Sequence, residues 1–150
     1  MTLGAGLAGA HAGATDPPSM LTWNSEPLNR DFDMTGDIEL RLDATGTASD
    51  TAWIVTLQDV DASGTAVDVT AGYLRASLRE VDEASSRHGA PVLTCRNPEA
   101  VPIGDVVSYR VPLVPNARRF RAGHRIRLVI SSDDHRALRG LRIKVRQLHP

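Results

Sequence analysis

The sequence predicts an all-β protein, an antiparallel jelly-roll sandwich. Short segments alternate apolar and polar residues with a period of two, and turns rich in glycine, proline and aspartate separate them. No stretch has the apolar spacing of a long amphipathic helix. Many short strands without crossover helices indicate an antiparallel sandwich or barrel, and a chain of 150 residues suits a jelly roll.

The first segment reads "GAGLAGAHAGA" from Gly4 and contains the G-x-G-x-x-G spacing of a dinucleotide-binding loop. That loop needs a strand before it and a helix after it. Only three residues precede Gly4, and the prolines from Pro17 onward would end a helix. We therefore interpret residues 1–19 as a Gly/Ala/Pro-rich connector and residues 20–150 as the folded domain.

The strand "DIELRLDAT" alternates Ile38, Leu40 and Leu42 with three charged residues that begin at Glu39. This pattern predicts a buried apolar face and a solvated charged face.

A hairpin follows, in which "TAWIVTLQDV" and "VDVTAGYLRASLRE" flank the turn "DASGTA". Trp53 is predicted in the core and Ile54 on the opposite face. The second strand is predicted to run through this segment, so that Arg75 and Arg79 lie two strand pairs apart on one face.

Three further strands are predicted towards the C-terminus. Pro112 in "VVSYRVPLV" predicts a sheet edge or a bulge, because proline has no backbone N–H. The segment "HRIRLVIS" alternates again, and "LRIKVRQL" predicts a closing strand over residues 141–148.

Composition narrows the function classes. The formal net charge of −1 gives no support for binding nucleic acid or an anionic membrane, and no apolar run approaches the length of a membrane span. The single cysteine, Cys95, excludes an internal disulfide and favours a cytoplasmic location. The basic C-terminal run is interpreted as a strand with a solvated basic face.

No catalytic, metal or cofactor site is predicted. The G-x-S-x-G string of α/β-hydrolase nucleophiles does not occur, and the five histidines lack metal-ligand spacing. The string "DVDASGT" imitates half of a calcium loop through Asp59, Asp61 and Ser63, but Thr70 stands where the closing glutamate belongs. We interpret this segment as a hairpin turn, and we expect no enzymatic activity from this chain alone.

Four strings in a fixed order carry a resemblance to a known family. They are "LTWNSEPLNRDFDMTGDIELRLDA", "LQDVDASGTAVDVTAGYLRASLRE", "VSYRVPLVPNARRFRAGHRIRLVISS" and the connector before them. The matching positions are Ser25, Glu26, Leu28, Thr35, Gly36, Leu57, Asp59, Val60, Gly64, Gly72, Arg75, Arg79, Tyr109, Val111, Leu113, Phe120, Gly123, His124, Arg125 and Ile126. Together they resemble the C-terminal non-catalytic domain of the X-prolyl dipeptidyl-peptidase and cocaine esterase family of serine hydrolases.

This resemblance implies a galactose-binding-like jelly roll without catalytic residues, because the family's catalytic Ser, Asp and His lie in a preceding α/β-hydrolase domain. It implies that the partner is that catalytic domain, on the same or a neighbouring chain. The connector resembles the family's passage past the active site, which places Leu7, Ala8 and Gly9 nearest the substrate pocket. Arg75 and Arg79 are candidates for contacts with acidic groups of the catalytic domain.

The resemblance ends near residue 132, where the family's Asn/Pro-rich loop is replaced by the basic run, so the strand 141–148 is expected from alternation alone. Two alternatives remain beside an accessory domain. A stand-alone carbohydrate-binding module would use exposed aromatic rings, of which this chain has few. A self-associating structural domain would form a homo-oligomer through an apolar surface.

Overall fold

The computed structural model describes residues 20–46 and 48–132, which are almost entirely β-structure. Six strands follow one another: β1 (Met20–Asn24), β2 (Phe32–Thr45), β3 (Ala52–Val60), β4 (Ala66–Arg75), β5 (Val106–Phe120) and β6 (Arg125–Ser132). Within this part of the chain the only helical element is a single 3-10 turn, Ala76–Leu78. The all-β prediction is confirmed, whereas the connector and the predicted strand 141–148 lie outside the described residues.

All neighbouring strands are antiparallel, in the order β1-β6-β3-β4-β5-β2. The ladder between β4 and β5 consists of a single residue pair, Gly72 with Leu113. The sheet therefore curls into two layers, a four-stranded layer of β1, β6, β3 and β4 and a two-stranded layer of β5 and β2. This is the predicted antiparallel β-sandwich.

The inner faces of the two layers enclose one apolar core. The rings of Trp53 on β3 and Tyr109 on β5 meet across it in a tilted arrangement, with centroids 5.5 Å apart and an interplanar angle of 59°. Leu42, Val55 and the two rings are almost completely buried. Ile54 points the other way and is 41% exposed, as the alternation of β3 predicts.

Gly72 lies where β4 meets β5, and the close approach of these strands explains why the residue is glycine. A Cβ at Gly72 would lie 2.3 Å from the carbonyl oxygen of Pro112, so only glycine permits this approach of β4 to β5. The pairing of β2 with β5 shifts register between Gly36 and Ile38, next to the pair that Glu39 makes with Pro112. The bulge expected near this proline is confirmed.

A long segment, residues 79–105, connects the 3-10 turn to β5 and contains only isolated bridges. We call it the covering loop, because it lies over the outer face of the two-stranded layer. There Glu83 binds Arg110 of β5, and Gly89 packs against the backbone of Asp37 in β2. No helix among the described residues has the length and apolar character needed to cross a bilayer.

Candidate functional site

Two of the segments that carry the resemblance, around Ser25 and around His124, meet at one end of the four-stranded layer. Ser25, which is buried, follows β1 and extends its pairing with β6: its N–H donates to the carbonyl of Ile126 at 2.8 Å, and its Oγ accepts from the Ile126 N–H at 3.0 Å. Arg125 donates to the Ser25 carbonyl at 2.9 Å and lies 4.0 Å from Glu26. The serine and glutamate of this string therefore fix the chain where it leaves β1.

Backbone bonds complete this junction three residues later. Leu28 N–H donates to the carbonyl of His124, and Gly123 N–H donates to the carbonyl of Leu28, both at 2.8 Å. Gly123 has φ +83, a left-handed conformation that favours glycine. Two strings almost a hundred residues apart in the sequence thus form one structural unit.

Asp59 is a buried carboxylate at the same end, 3% exposed. Its Oδ2 accepts from Arg118 Nη2 at 2.7 Å, and its Oδ1 accepts from His124 Nδ1 at 2.8 Å. Both carboxylate oxygens of Asp59 are therefore bonded to side chains of the domain itself. The His–Asp pair has the geometry of a general base with its orienting acid, but no hydrogen bond of the described residues joins a serine hydroxyl to His124.

The calcium-like string forms the turn of the β3–β4 hairpin. Oδ1 of Asp61 accepts from the N–H and the hydroxyl of Ser63 and from the N–H of Thr65, at 2.6 to 2.9 Å. The Ser63 hydroxyl in particular holds the pKa of Asp61 below its ordinary value. Gly64 adopts φ +91 within the turn. Over residues 20–46 and 48–132, no three His, Cys, Asp or Glu side chains cluster as metal ligands would.

Arg75 ends β4 and lies on the outer face of the four-stranded layer. Its Nε donates to Oδ2 of Asp50 at 2.7 Å, and Oδ1 of Asp50 accepts from the Ser77 N–H. Burial by itself raises the pKa of Asp50, but the bonds from Arg75 and Ser77 outweigh it and the net shift is downward.

Arg79 does not share a strand face with Arg75, so this part of the prediction is wrong. The chain leaves β4 after Arg75, because the N–H of Ala76 donates to the Thr51 carbonyl and the 3-10 turn begins. Arg79 instead donates to the carbonyl of Glu99 at 2.7 Å and lies 2.9 Å from the Glu99 carboxylate. It holds the two ends of the covering loop together. A contact of either arginine with another domain stays a prediction.

The outer face of the two-stranded layer contains a buried acid that the strand pattern had placed in solvent. The side chain of Glu39 has no exposed surface. Its carboxylate accepts from Arg110 Nε at 2.6 Å and from Arg41 Nε at 3.1 Å, and Arg110 also binds Glu83. These bonds raise the pKa of Arg110. The predicted wet face is wrong at Glu39, because the covering loop brings Glu83 down onto Arg110.

The outer face of the four-stranded layer is bare and partly apolar. Cross-strand pairing aligns Met20 with Ser131, Ser131 with Ile54, and Ile54 with Tyr73. Met20, Ile54 and Tyr73 are 54%, 41% and 55% exposed. We call these three residues the apolar row. It was missed as a site because alternation predicts which residues avoid the core, not which ones remain uncovered.

Two parallel rows continue the same face. The next row is formed by Thr22, Val129, Thr56 and Ala71. The third row is polar and consists of Asn24, Arg127, Gln58 and Asp68. Within it, Arg127 donates to Asn24 and Gln58 donates to Asp68, both at 2.7 Å.

The candidate pocket-lining residues Leu7, Ala8 and Gly9 lie outside the described residues.

Comparison with known proteins identifies related sequences. The sequence profile described as the X-Pro dipeptidyl-peptidase C-terminal non-catalytic domain matches residues 4–142. A protein named as a serine esterase of Mycobacterium tuberculosis is 34% identical over 119 residues, which are 77% of this chain and 19% of that protein. The cocaine esterase of a Rhodococcus species is 26% identical over 119 residues, 79% of this chain and 18% of that protein.

Solved structures share the fold at lower identity. A CocE/NonD family hydrolase from Staphylococcus aureus has a TM-score of 0.70 at 20% identity, covering 75% of this chain and 22% of that one. An α-amino acid ester hydrolase has a TM-score of 0.64 at 22% identity, covering 87% of this chain and 20% of that one. The chain thus spans about a fifth of the length of the relatives that it matches.

Proposed function

Because the chain belongs to the X-Pro dipeptidyl-peptidase C-terminal non-catalytic domain family, we propose that it is the accessory domain of an α/β-hydrolase. In this proposal the domain packs on the catalytic domain and shapes its substrate pocket. The complete enzyme cleaves an ester or an X-Pro amide by acyl transfer through a serine of the catalytic domain.

The use of the motif residues supports this proposal most directly. Ser25, Asp59 and His124 carry the hydroxyl, carboxylate and imidazole groups that serine hydrolases use, and each side chain is bonded within the fold. A side chain whose polar atoms are bonded at a strand junction is not available to a substrate. The segments of this chain that carry the family resemblance therefore build a scaffold, which is what an accessory domain requires.

Pocket shaping is assigned to the connector. We propose that Leu7, Ala8 and Gly9 line the substrate pocket of the catalytic domain, and that the cytoplasm is where the enzyme works. Small residues at two of these positions leave room for an acyl group, so larger side chains there should discriminate against bulky substrates.

A graft tests the accessory role. The whole 150-residue chain replaces the matching segment of the Mycobacterium tuberculosis relative, and a second variant lacks that segment. With p-nitrophenyl acetate and butyrate, we expect turnover from the graft and at most a few per cent of it from the deletion. The free chain should have no turnover. Turnover by the free chain that is lost on mutating one of its serines would refute the accessory role.

The same graft tests pocket shaping. Ala8→Trp should raise the KM for the butyrate more than for the acetate, and Thr45→Ser in β2 serves as a conservative control that should change neither. Equal KM values for Ala8→Trp and the unmodified graft, with both esters, would contradict the assignment of the connector to the pocket.

The alternatives receive less support. All six aromatic residues lie in the described part of the chain, and among them only the Tyr73 side chain is exposed, so a sugar platform would rest on one ring. A thermal shift with galactose, lost in Tyr73→Ala, would favour the carbohydrate-binding module. A concentration-dependent mass in sedimentation would favour the self-associating domain.

A further inference from the structure

The structure points to the bare outer face of the four-stranded layer as the surface that packs on the catalytic domain, with the apolar row at its centre. This inference rests on the proposed function and deepens it by assigning the interface. The occupant is the α/β-hydrolase domain of the same protein, which presents an apolar surface to Met20, Ile54 and Tyr73.

The composition of the face supports an interface. Three large apolar side chains stand in one line across four strands. Adjacent strands lie about 4.8 Å apart, so the line is about 14 Å long. On one side, two rows away, the bonded polar row forms a rim. On the other side lies Arg75, two residues after Tyr73 and on the same face. An apolar centre with a polar border is the usual anatomy of a protein interface.

The rest of the surface narrows the choice of face. The outer face of the two-stranded layer is occupied by the domain's own covering loop, which buries Glu39 and binds Arg110. A partner would have to displace that loop. Over the three rows described above, the side chains of the four-stranded layer are exposed or half-buried. On the same face of β3, Ala52 and Val60 lie beyond these rows and are buried.

The size of the face favours a tethered partner over a second copy. Four strands and about five residues along each give roughly 19 by 17 Å, or about 300 Å². A stable complex of separate proteins buries about 800 Å² on each partner. A covalently linked domain needs less area, because the link supplies a high effective concentration. Interdomain interfaces begin at about 600 Å² counted over both sides, which this face supplies.

The direction of the chain agrees with this occupant. Met20 begins β1, and it is itself a member of the apolar row. The connector of residues 1–19 therefore joins the domain at this face. A catalytic domain that precedes the connector is tethered beside the surface that it would cover.

Hydroxyl-radical oxidation of the graft described above tests this assignment, since Met20 and Tyr73 carry reactive side chains. Compared with the free 150-residue chain, we expect both to be oxidised at least fivefold more slowly in the graft. Cys95 is the internal control, because it is exposed and lies on the covering loop. Its oxidation should be the same in both proteins.

Paired substitutions add a second measurement. Tyr73→Asp should lower the temperature at which the graft loses turnover by at least about 5 °C, and Val106→Asp, at an equally exposed apolar residue of β5, by about 1 °C at most. Unfolding of the free chain should respond equally and slightly to both variants, which separates loss of the interface from loss of the fold.

The outcomes separate this inference from the proposed function. An active graft in which Met20 and Tyr73 stay reactive, or in which Cys95 is protected instead, overturns the face and keeps the accessory role. Protection in an inactive graft supports the face and refutes pocket shaping. An inactive graft in which Met20 and Tyr73 are not protected overturns both the assignment of the face and the accessory role. Protection that increases with concentration in the free chain assigns the face to a second copy and overturns this inference.

Discussion

The outer faces of the two layers differ although their strands alternate in the same way. On the two-stranded layer, the covering loop encloses Glu39 and Arg110 in a charge network. On the four-stranded layer, Ile54 and Tyr73 stand exposed. The difference shows that alternation assigns side chains to inside or outside, whereas a distant loop decides whether an outside residue is solvated. On these outer faces the acid Glu39 is therefore buried, whereas the apolar residues Ile54 and Tyr73 are exposed.

The largest expected loss of stability is in the core, and neighbouring residues of β3 allow the core to be compared with the bare face. Trp53→Ala should destabilise the free chain by about 3–5 kcal/mol, because it empties a core site of large volume. Ile54→Ala, one residue on, should cost less than about 0.5 kcal/mol. Urea unfolding followed by circular dichroism measures both. Equal losses would mean that the outer face of β3 is covered in the free chain.

The second-largest expected loss of stability comes from replacing a carboxylate, and it differs between the two outer faces. Glu39→Gln should cost about 3 kcal/mol, because it leaves Arg110 in a largely buried site with only Glu83. Asp68→Asn on the bare face should cost less than about 0.5 kcal/mol, as expected of an exposed polar pair. Urea unfolding of both variants at neutral pH measures these two losses of stability. A Glu39→Gln variant as stable as the wild type would show that the loop does not enclose the network.

The joint between the faces gives a third prediction. Gly72→Ala should destabilise by about 2–3 kcal/mol, because its Cβ would overlap the Pro112 carbonyl and force β4 away from β5. Gly64→Ala serves as the control: it has open space but φ +91, and should cost about 1 kcal/mol. If the two variants unfold at the same urea concentration, the approach of the layers is looser than described.

The smallest effect is a pH dependence at the border of the bare face. The folded-state pKa of Asp50 lies below 3.8, so its stabilising effect is present above that pH and is lost as the pH falls through the folded value. The difference in unfolding free energy between wild type and Asp50→Asn should therefore shrink as the pH falls below the ordinary aspartate pKa of about 4. It should depend less on pH in an Arg75→Gln background. An unchanged dependence there would exclude Arg75 as a cause.

Much of the fold could be predicted because local rules and tertiary structure agree. The hairpin of β3 and β4, the burial of Trp53, the alternation of β6 and the bulge near Pro112 all follow from side-chain period and turn chemistry. The resemblance that the strings carry, to the C-terminal non-catalytic domain of this family, is confirmed. Their convergence at Ser25 and His124 depends on pairing β1 with β6, which no local pattern encodes.

The failures have a common physical origin in long-range packing. The pattern of its segment predicts Arg79 on a strand. The chain instead turns one residue after Arg75, because the N–H groups of Ala76 and Ser77 donate to the Thr51 carbonyl and the Asp50 carboxylate. Glu39 was placed in solvent because nothing in its own strand shows that residues 79–105 fold over it. The apolar row is visible only once four strands are aligned.

The pairing of β1 with β6 has a consequence for how the chain reaches this fold. Met20 must find Ser131, and β2 must find β5, before either early strand has a partner; β3 and β4 alone form a local hairpin. Such high contact order predicts folding in milliseconds to seconds rather than microseconds. At a synthesis rate of about 5–20 residues per second, β1 would wait roughly 6–22 s for β6. Its exposed edge is then a place where a chaperone or a misfolded neighbour can compete.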